Sequence, residues 1–410
     1  MGDAKLHDLL GRTEQPDMAN GIFSKLNPAD PHYAIDVVDS LIPLALARGA
    51  SDVHLHPRGE GWEVLVRIDG VLSVTDWIKG GGQSDPVSRL MVLAGLPTYR
   101  SSQPMEGRMK WKTPITSDDD ASLRLGIFPT VHGPRAVLRL LRKDDRYDTL
   151  ESLGLSSIVT ATLRDLANQT DGAILLSGPA GSGKTTTLYA MLRCIAAAEP
   201  RRSVLTIEDP VESVIDSISQ SELDVSGGMT LASALRSAVR QDSEVLLVSE
   251  IRDPETAEAA MQASLTGHLV FSSLHATDVA ASLRRLVQFG VPPHVVRSGV
   301  RAILAQRLLR RICSTCQAGS SKPNDCDACS GTGYRGRVAI AQCVMFDGTD
   351  PVGESLSATL ESAQTLSQMR CDAAAAAKSD LRSEALRCVE AGWTDEAEVY
   401  RVLGSAPLRS

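Results

Sequence analysis

No stretch of the 410 residues approaches the roughly 20 consecutive apolar residues that cross a bilayer. The N-terminus, MGDAKLHDLLGRTEQPDMANG, also lacks the apolar core of a signal peptide. The expectation is a protein that stays in the cytosol and meets membranes only through partners. Aromatic residues make up 4% of the chain and the net charge is −8. That leaves little for base stacking and no broad basic surface, which argues against a non-specific nucleic-acid binder and disfavours a nucleic-acid motor. Arg307, Arg310 and Arg311 form a local basic exception. Of the eight cysteines, four fall into two close CxxC pairs. In a cytosolic chain this favours metal over disulfides.

What is present has an order. The first 32 residues are polar and aperiodic, broken by Pro16, Asn20, Gly21, Asn27 and Pro28, and read as a flexible leader. Ile35, Val38, Ile42 and Ala45 then recur at helical spacing up to Gly49. DVHLH at 52–56 alternates, and WEVLVRI at 62–68 runs into the hairpin signal Asp69-Gly70. A helical segment at 86–94 and strands at 122–128 and 136–142 complete an α+β domain over 33–142. The charged residues 143–150 suit a linker. From 151 to 346 short apolar strands at 173–177, 204–207, 245–249 and 269–272 alternate with helices, which indicates a parallel sheet covered on both faces. Residues 347–410 read as a helical C-terminal region.

Residues 178–185, GPAGSGKT, follow an apolar strand and open a helix. In that context the pattern G-x-x-x-x-G-K-[ST] is a phosphate-binding loop. Gly178, Gly181 and Gly183 let the backbone curl around Pro179, Ala180 and Ser182 so that N–H groups point at phosphate oxygens. The helix beginning near Thr186 adds its positive end to the same anion. Lys184 reaches the β- and γ-phosphates of ATP, and Thr185 offers a hydroxyl to Mg²⁺.

Such a loop needs carboxylates beyond neighbouring strand ends. VLLVS at 245–249 ends in Glu250, placed to reach a Mg²⁺ shell through water. VLTI at 204–207 ends in Glu208, with Asp209 and Glu212 close behind. Glu208 is the preferred group for orienting the attacking water; the plainer alternative is a solvated loop acid or helix cap. His268 and His275 flank one strand, and a histidine at a strand end beside the γ-phosphate can report its presence. In AVLRLL, at 136–141, Arg139 shares a face with Val137 and Leu141. A guanidinium there is costly unless it meets an anion. Arg124 lies on the other strand flanking the same loop. Either an internal ion pair or a phosphate satisfies both.

Cys313, Cys316, Cys326 and Cys329 form CxxC-x9-CxxC within 313–337. That spacing can converge four thiolates on one tetrahedral, structural Zn²⁺, with redox chemistry or disulfides as the alternatives. Cys194, Cys343, Cys371 and Cys388 are scattered and read as buried thiols.

GPAGSGKTTTLYAML, TIEDPVE, ALRSAVRQ followed by VSEIRDPETAEAA, and TGHLVFSSLHATD resemble, in order and spacing, the four nucleotide-site boxes of the type II secretion and type IV pilus ATPase family. SDVHLHP, VRIDGVL and FPTVHGPRAVLRLL resemble its smaller N-terminal domain. The resemblance runs from about residue 33 to 345, with a fainter echo at LRSEALRCVEAGWTDEAEVYRVL. It implies a RecA-like ATPase domain in a homohexameric ring that binds ATP between two domains. It makes Glu208 the catalytic glutamate, Glu250 the Mg²⁺-site acid, and His268 and His275 the histidine-box pair. Arg124 and Arg139 would reach the phosphates. It further implies a motor at the cytoplasmic face of the inner membrane, driving pseudopilus or pilus assembly through a membrane platform protein. The tetracysteine module is typical of secretion and extension members and generally missing from retraction and conjugation motors. Those motors, and a ring subunit that binds ATP without turnover, are the alternatives. Ser249 stands where the family usually has glycine, Ser243-Glu244 replaces Pro-Asp, and the spacer between the cysteine pairs is short.

Overall fold

The computed structural model describes residues 21–404 except 82–84, 101, 113–120, 142–144, 225–226, 322–325, 361–364 and 377–379. The chain divides into two compact units, residues 1–143 and 144–410. Residues 1–20 of the leader and 143–144 of the linker lie outside the description. In the described remainder residues 29–32 are exposed, while single apolar side chains are anchored. Phe23 is buried in the first unit, and Leu150 is buried in the second, where Asp148 pairs with Arg193 at 2.9 Å. Each carries apolar side chains that a free segment would leave in water.

The first unit is one antiparallel sheet with helices on one face. Its strands are β1 (Asp52–Arg58), β2 (Gly61–Ile68), β3 (Val71–Lys79), β4 (Met105–Trp111), β5 (Ala121–Thr130) and β6 (Gly133–Leu141), in the order β3-β2-β1-β6-β5-β4. Helix α1 (Tyr33–Ala47) turns Val37, Val38, Leu41, Ile42 and Ala45 inward, as its periodicity demands. Helix α2 (Pro86–Leu93) starts with Pro86 and is capped by Asp85, whose carboxylate accepts from the Val87 N–H at 2.8 Å. Both pack on Val53, Leu55, Val64, Val66, Leu123, Leu125, Leu138 and Leu140. Period-2 alternation therefore sends the intervening residues to the other face. Direct cross-strand register lines up Arg67, Asp52, Arg139, Arg124 and Arg108 in one transverse row.

The second unit is built on β7 (Gly172–Ser177), β8 (Val204–Glu208), β9 (Ser219–Glu222), β10 (Val245–Val248), β11 (Leu269–Leu274), β12 (Val300–Ile312) and β13 (Tyr334–Met345), ordered β13-β12-β7-β11-β10-β8-β9. All neighbours are parallel except β13, which runs antiparallel to β12. The sheet is therefore mixed at one edge rather than wholly parallel, as large α/β sheets often are. Along β7, Ala173 and Leu175 enter one core while Ile174 and Leu176 enter the other. One face is covered by α3 (Ser157–Ala167) and α4 (Lys184–Ala196). The other is covered by α5 (Leu231–Ala238), α6 (Pro254–Leu265), α7 (Val279–Gln288), α8 (Pro293–Gly299), α9 (Pro351–Thr359) and α10 (Leu366–Ala376). Two last helices, α11 (Leu381–Glu390) and α12 (Glu396–Leu403), close a separate small core against Leu309, Val338 and Ile340. None of the described helices is long and apolar enough to cross a membrane.

The basic cluster at 307–311 is not a free cationic surface. Buried Arg307 donates to the carbonyls of Gln306 at 2.8 Å and Thr277 at 2.5 Å. Arg310 pairs with fully buried Glu398 at 2.8 Å, and Arg311 lies over the Trp393 ring. Among the scattered thiols Cys388 is buried and Cys194 and Cys343 are half-buried, but Cys371 is exposed on α10, contrary to its expected burial.

Candidate active site and metal centre

The parallel strands bring their C-terminal ends to one edge, where ligands of open α/β sheets collect. The loop 178–183 leaves β7 at that edge and enters α4 at Lys184. Gly178 has φ 156° and Gly183 φ 87°, both outside the range L side chains favour. A Cβ on Gly178 would lie 2.6 Å from the Gln306 carbonyl oxygen, and one on Gly183 would lie 2.7 Å from Gln306 Nε2. The glycines thus serve the curl and also admit β12. Gln306, 1% exposed, accepts from Thr187 Oγ1 at 2.9 Å and donates to the Ser182 carbonyl at 2.9 Å. It braces the end of the loop where α4 begins. Sequence reasoning passed over it, although a lone glutamine inside an apolar run must find buried partners.

Lys184 folds back on the loop, donating to the carbonyls of Gly178 at 2.8 Å and Pro179 at 3.1 Å. Burial lowers its pKa, and nearby Glu250 offsets part of that. The ammonium is thus parked on neutral carbonyls that a phosphate oxygen readily displaces. Ser182 Oγ is buried and without a partner. That orphan, the curled glycines and the amino end of α4 fit a triphosphate. Thr185, in the first turn of α4, is half-buried.

Glu250 stands just beyond β10, with one carboxylate oxygen 3.1 Å from His275 Nε2 and the other 2.8 Å from Arg252 Nε. His275 follows β11 directly, so this edge brings Lys184, Glu250 and His275 together. His268 is placed elsewhere. It precedes β11 at the opposite end, about 20 Å away by strand rise, and its Nδ1 lies 3.2 Å from the Ala263 carbonyl near the end of α6. Glu208, 2% exposed at the end of β8, accepts from Thr206 Oγ1 at 2.6 Å, from Gln220 Nε2 at 3.0 Å and from the Tyr189 hydroxyl. It is a buried, fully ordered acid rather than a solvated loop residue.

In the first unit, Arg139 Nε lies 3.1 Å from Asp52 Oδ1, and Arg124 pairs with Glu106. Both have an intradomain carboxylate. Even so, the row Arg67–Asp52–Arg139–Arg124–Arg108 sets four guanidiniums beside one aspartate, and the Arg139 side chain is 63% exposed.

The four thiols of Cys313, Cys316, Cys326 and Cys329 lie within 4.8 Å of one another. Cys316 and Cys329 Sγ are 3.8 Å apart, close to the roughly 3.8 Å edge of a Zn–S₄ tetrahedron with 2.3 Å bonds. The Gly333 N–H points at Cys329 Sγ at 3.3 Å. Backbone N–H groups, that of Cys316 first, hold the Cys313 thiol down to about 6, while Cys316, hydrogen-bonded to the other thiols, is pushed up to about 11. All eight cysteines are free thiols, and these four fit a structural zinc.

Comparison with known proteins agrees with this geometry. The family model described as Type II/IV secretion system protein matches residues 28–401. The chain is 33% identical over 416 residues to the type IV pilus assembly ATPase TfpB of Acinetobacter baylyi, covering 96% of this chain and 68% of that protein. It is 36% identical over 384 residues to the type II secretion system protein HxcR of Pseudomonas aeruginosa, covering 93% and 80%. Among solved structures, the ATPase DotB of Legionella pneumophila superposes with TM-score 0.67 at 20% identity, covering 90% of this chain and 96% of that one. The pilus retraction motor PilT with bound ADP gives TM-score 0.60 at 22% identity, covering 90% and 97%. At these identities the two structures speak for the fold.

Proposed function

Because the chain belongs to the Type II/IV secretion system protein family, we propose that it is an ATPase whose hydrolysis cycle powers assembly of a type II secretion pseudopilus or type IV pilus. The observation that carries this reading is the single edge where the phosphate loop, Lys184 and the Glu250–His275 pair meet. ATP phosphates are received by the loop 178–186 through backbone N–H groups, with Lys184 moving from the Gly178 and Pro179 carbonyls to the β- and γ-oxygens. Thr185 and, through water, Glu250 would hold Mg²⁺, which when bound neutralises charge on the phosphates. Glu208 orients the attacking water. His275, beside Glu250, senses the γ-phosphate in this reading, and His268 does not. Arg124 and Arg139 present guanidinium to the phosphates in a homohexameric ring.

The ring acts on a platform protein at the cytoplasmic face of the inner membrane and has no call for nucleic acid. The tetracysteine cluster favours assembly over retraction or conjugation. Phosphate release by the purified chain with Mg²⁺ and ATP tests the reading: turnover that Glu250→Gln slows about 10²-fold or more supports it. No turnover in the parent chain would leave a nucleotide-binding scaffold. Replacing Arg124 or Arg139 by alanine is expected to cut turnover about 10³-fold or more, the scale of an arginine supplied to a γ-phosphate, with the melting temperature unchanged. Unfolding of the first unit instead would make both arginines structural.

A further inference from the structure

We infer that Tyr189 is a positioning residue for the Glu208 carboxylate, an inference that rests on the reading of Glu208 as the group that orients the attacking water. Tyr189 lies on α4, five residues after Lys184, with its ring 4% exposed. Its hydroxyl donates to Glu208 Oε2 and accepts from the Glu212 N–H at 3.1 Å. Burial first, and then the neighbouring carboxylate, push the phenol pKa up. It therefore stays a protonated donor across the physiological range.

On the other carboxylate oxygen, Thr206 Oγ1 donates at 2.6 Å and Gln220 Nε2 at 3.0 Å. A carboxylate offers about four acceptor positions. Three are taken here, by side chains from α4, β8 and β9. The remaining position is on Oε2, the oxygen shared with Tyr189, and it is the one that can receive a water. Without the Tyr189 hydroxyl the carboxylate is held through Oε1 alone and its free oxygen can swing, while the Glu212 N–H loses its acceptor. The helix that closes on the phosphates through Lys184 and Thr185 also sets the orientation of this acid. Phosphate binding and water activation are thus tied to one rigid element.

Tyr189→Phe keeps the buried ring and removes only the hydroxyl. In the full chain, with Mg²⁺ and ATP, it is expected to lower kcat at least tenfold while KM, ATP affinity and melting temperature stay close to those of the parent. Introduced into Glu208→Gln, whose residual turnover is followed in single-turnover mode, it should add no further loss, because the group it positions is gone. Parent-like turnover in Tyr189→Phe, a KM that rises with unchanged kcat, or equal fold losses in both backgrounds overturns the proposal. Parent-like turnover in Glu208→Gln would instead overturn the reading of Glu208 itself. An inactive Glu208→Gln beside a fully active Tyr189→Phe removes only the positioning role.

Discussion

The phosphate loop and the tetracysteine cluster are both reached from β12, the first through Gln306 and the second where Cys313 follows the strand end at Ile312. They are organised in different ways. The loop is fixed before any ligand arrives: Gln306 holds its end at α4, Lys184 closes it, and strands on either side bury its flanks. The cysteine segment brings almost no apolar mass. Among its described residues before β13, Cys313 and Cys329 are the buried side chains, and four thiols are held close together. One site is preorganised by a core, so its ligand meets a finished cradle. The other would be completed by a zinc ion, so that metal binding and local folding would be one event.

That contrast can be broken at several points. The largest effect is expected from Lys184→Ala, which should take phosphate release to background yet leave zinc content at about one per chain. Glu250→Gln should slow turnover by about 10² or more while ATP still binds, read by equilibrium nucleotide titration beside the rate. Cys313→Ser together with Cys326→Ser should bring zinc, by elemental analysis, from about one per chain to near none. Hydrogen exchange should then rise across 313–337, with ATP affinity little changed; collapse of ATP binding would mean that the two regions are not separately built. The smallest effect is expected from Gln306→Ala, at about 1–3 kcal/mol of stability for the buried hydrogen bonds it strands, with ATP bound more weakly and zinc retained. A Gln306→Ala chain as stable and as avid as the parent would show that the glycine curl holds itself.

The parts legible in the sequence were those governed by local rules. Gly178, Gly183 and Lys184 carry the loop in their spacing, DVHLH and Asp69-Gly70 announce a hairpin sheet, and the paired CxxC repeats predict converging thiols. What was missed depends on tertiary partners. β12 was hidden because Gln306, Arg307, Arg310 and Arg311 interrupt its apolar run, and each is explained only by a distant group: Ser182, Thr277, Glu398 or Trp393. β9, with the sequence SQSE, is a polar edge strand with no hydrophobic signature. His268 and His275 look equivalent along the chain, yet a strand of six residues between them sends them to opposite ends of the sheet. Tyr189 reads as one more apolar position of α4 until Glu208 is seen at its hydroxyl.

Glu398 sets a limit for anyone trimming this protein. It is fully buried on α12 and accepts from the Arg310 N–H at 2.9 Å, from the Arg310 guanidinium at 2.8 Å and from Arg401 at 2.6 Å. Burial alone would raise its pKa, but those arginine hydrogen bonds outweigh it and keep the carboxyl ionised. Deleting α12 removes Glu398 along with its helix, and the damage appears in the sheet, where Arg310 on β12 loses its carboxylate partner. Losing one partner of a buried pair costs about 3–5 kcal/mol, a large part of what holds a domain together. A shortened version designed to keep only the nucleotide-binding half therefore has its safe boundary after residue 404, beyond Val402 and Leu403 of the same small core, however dispensable that helix looks for chemistry.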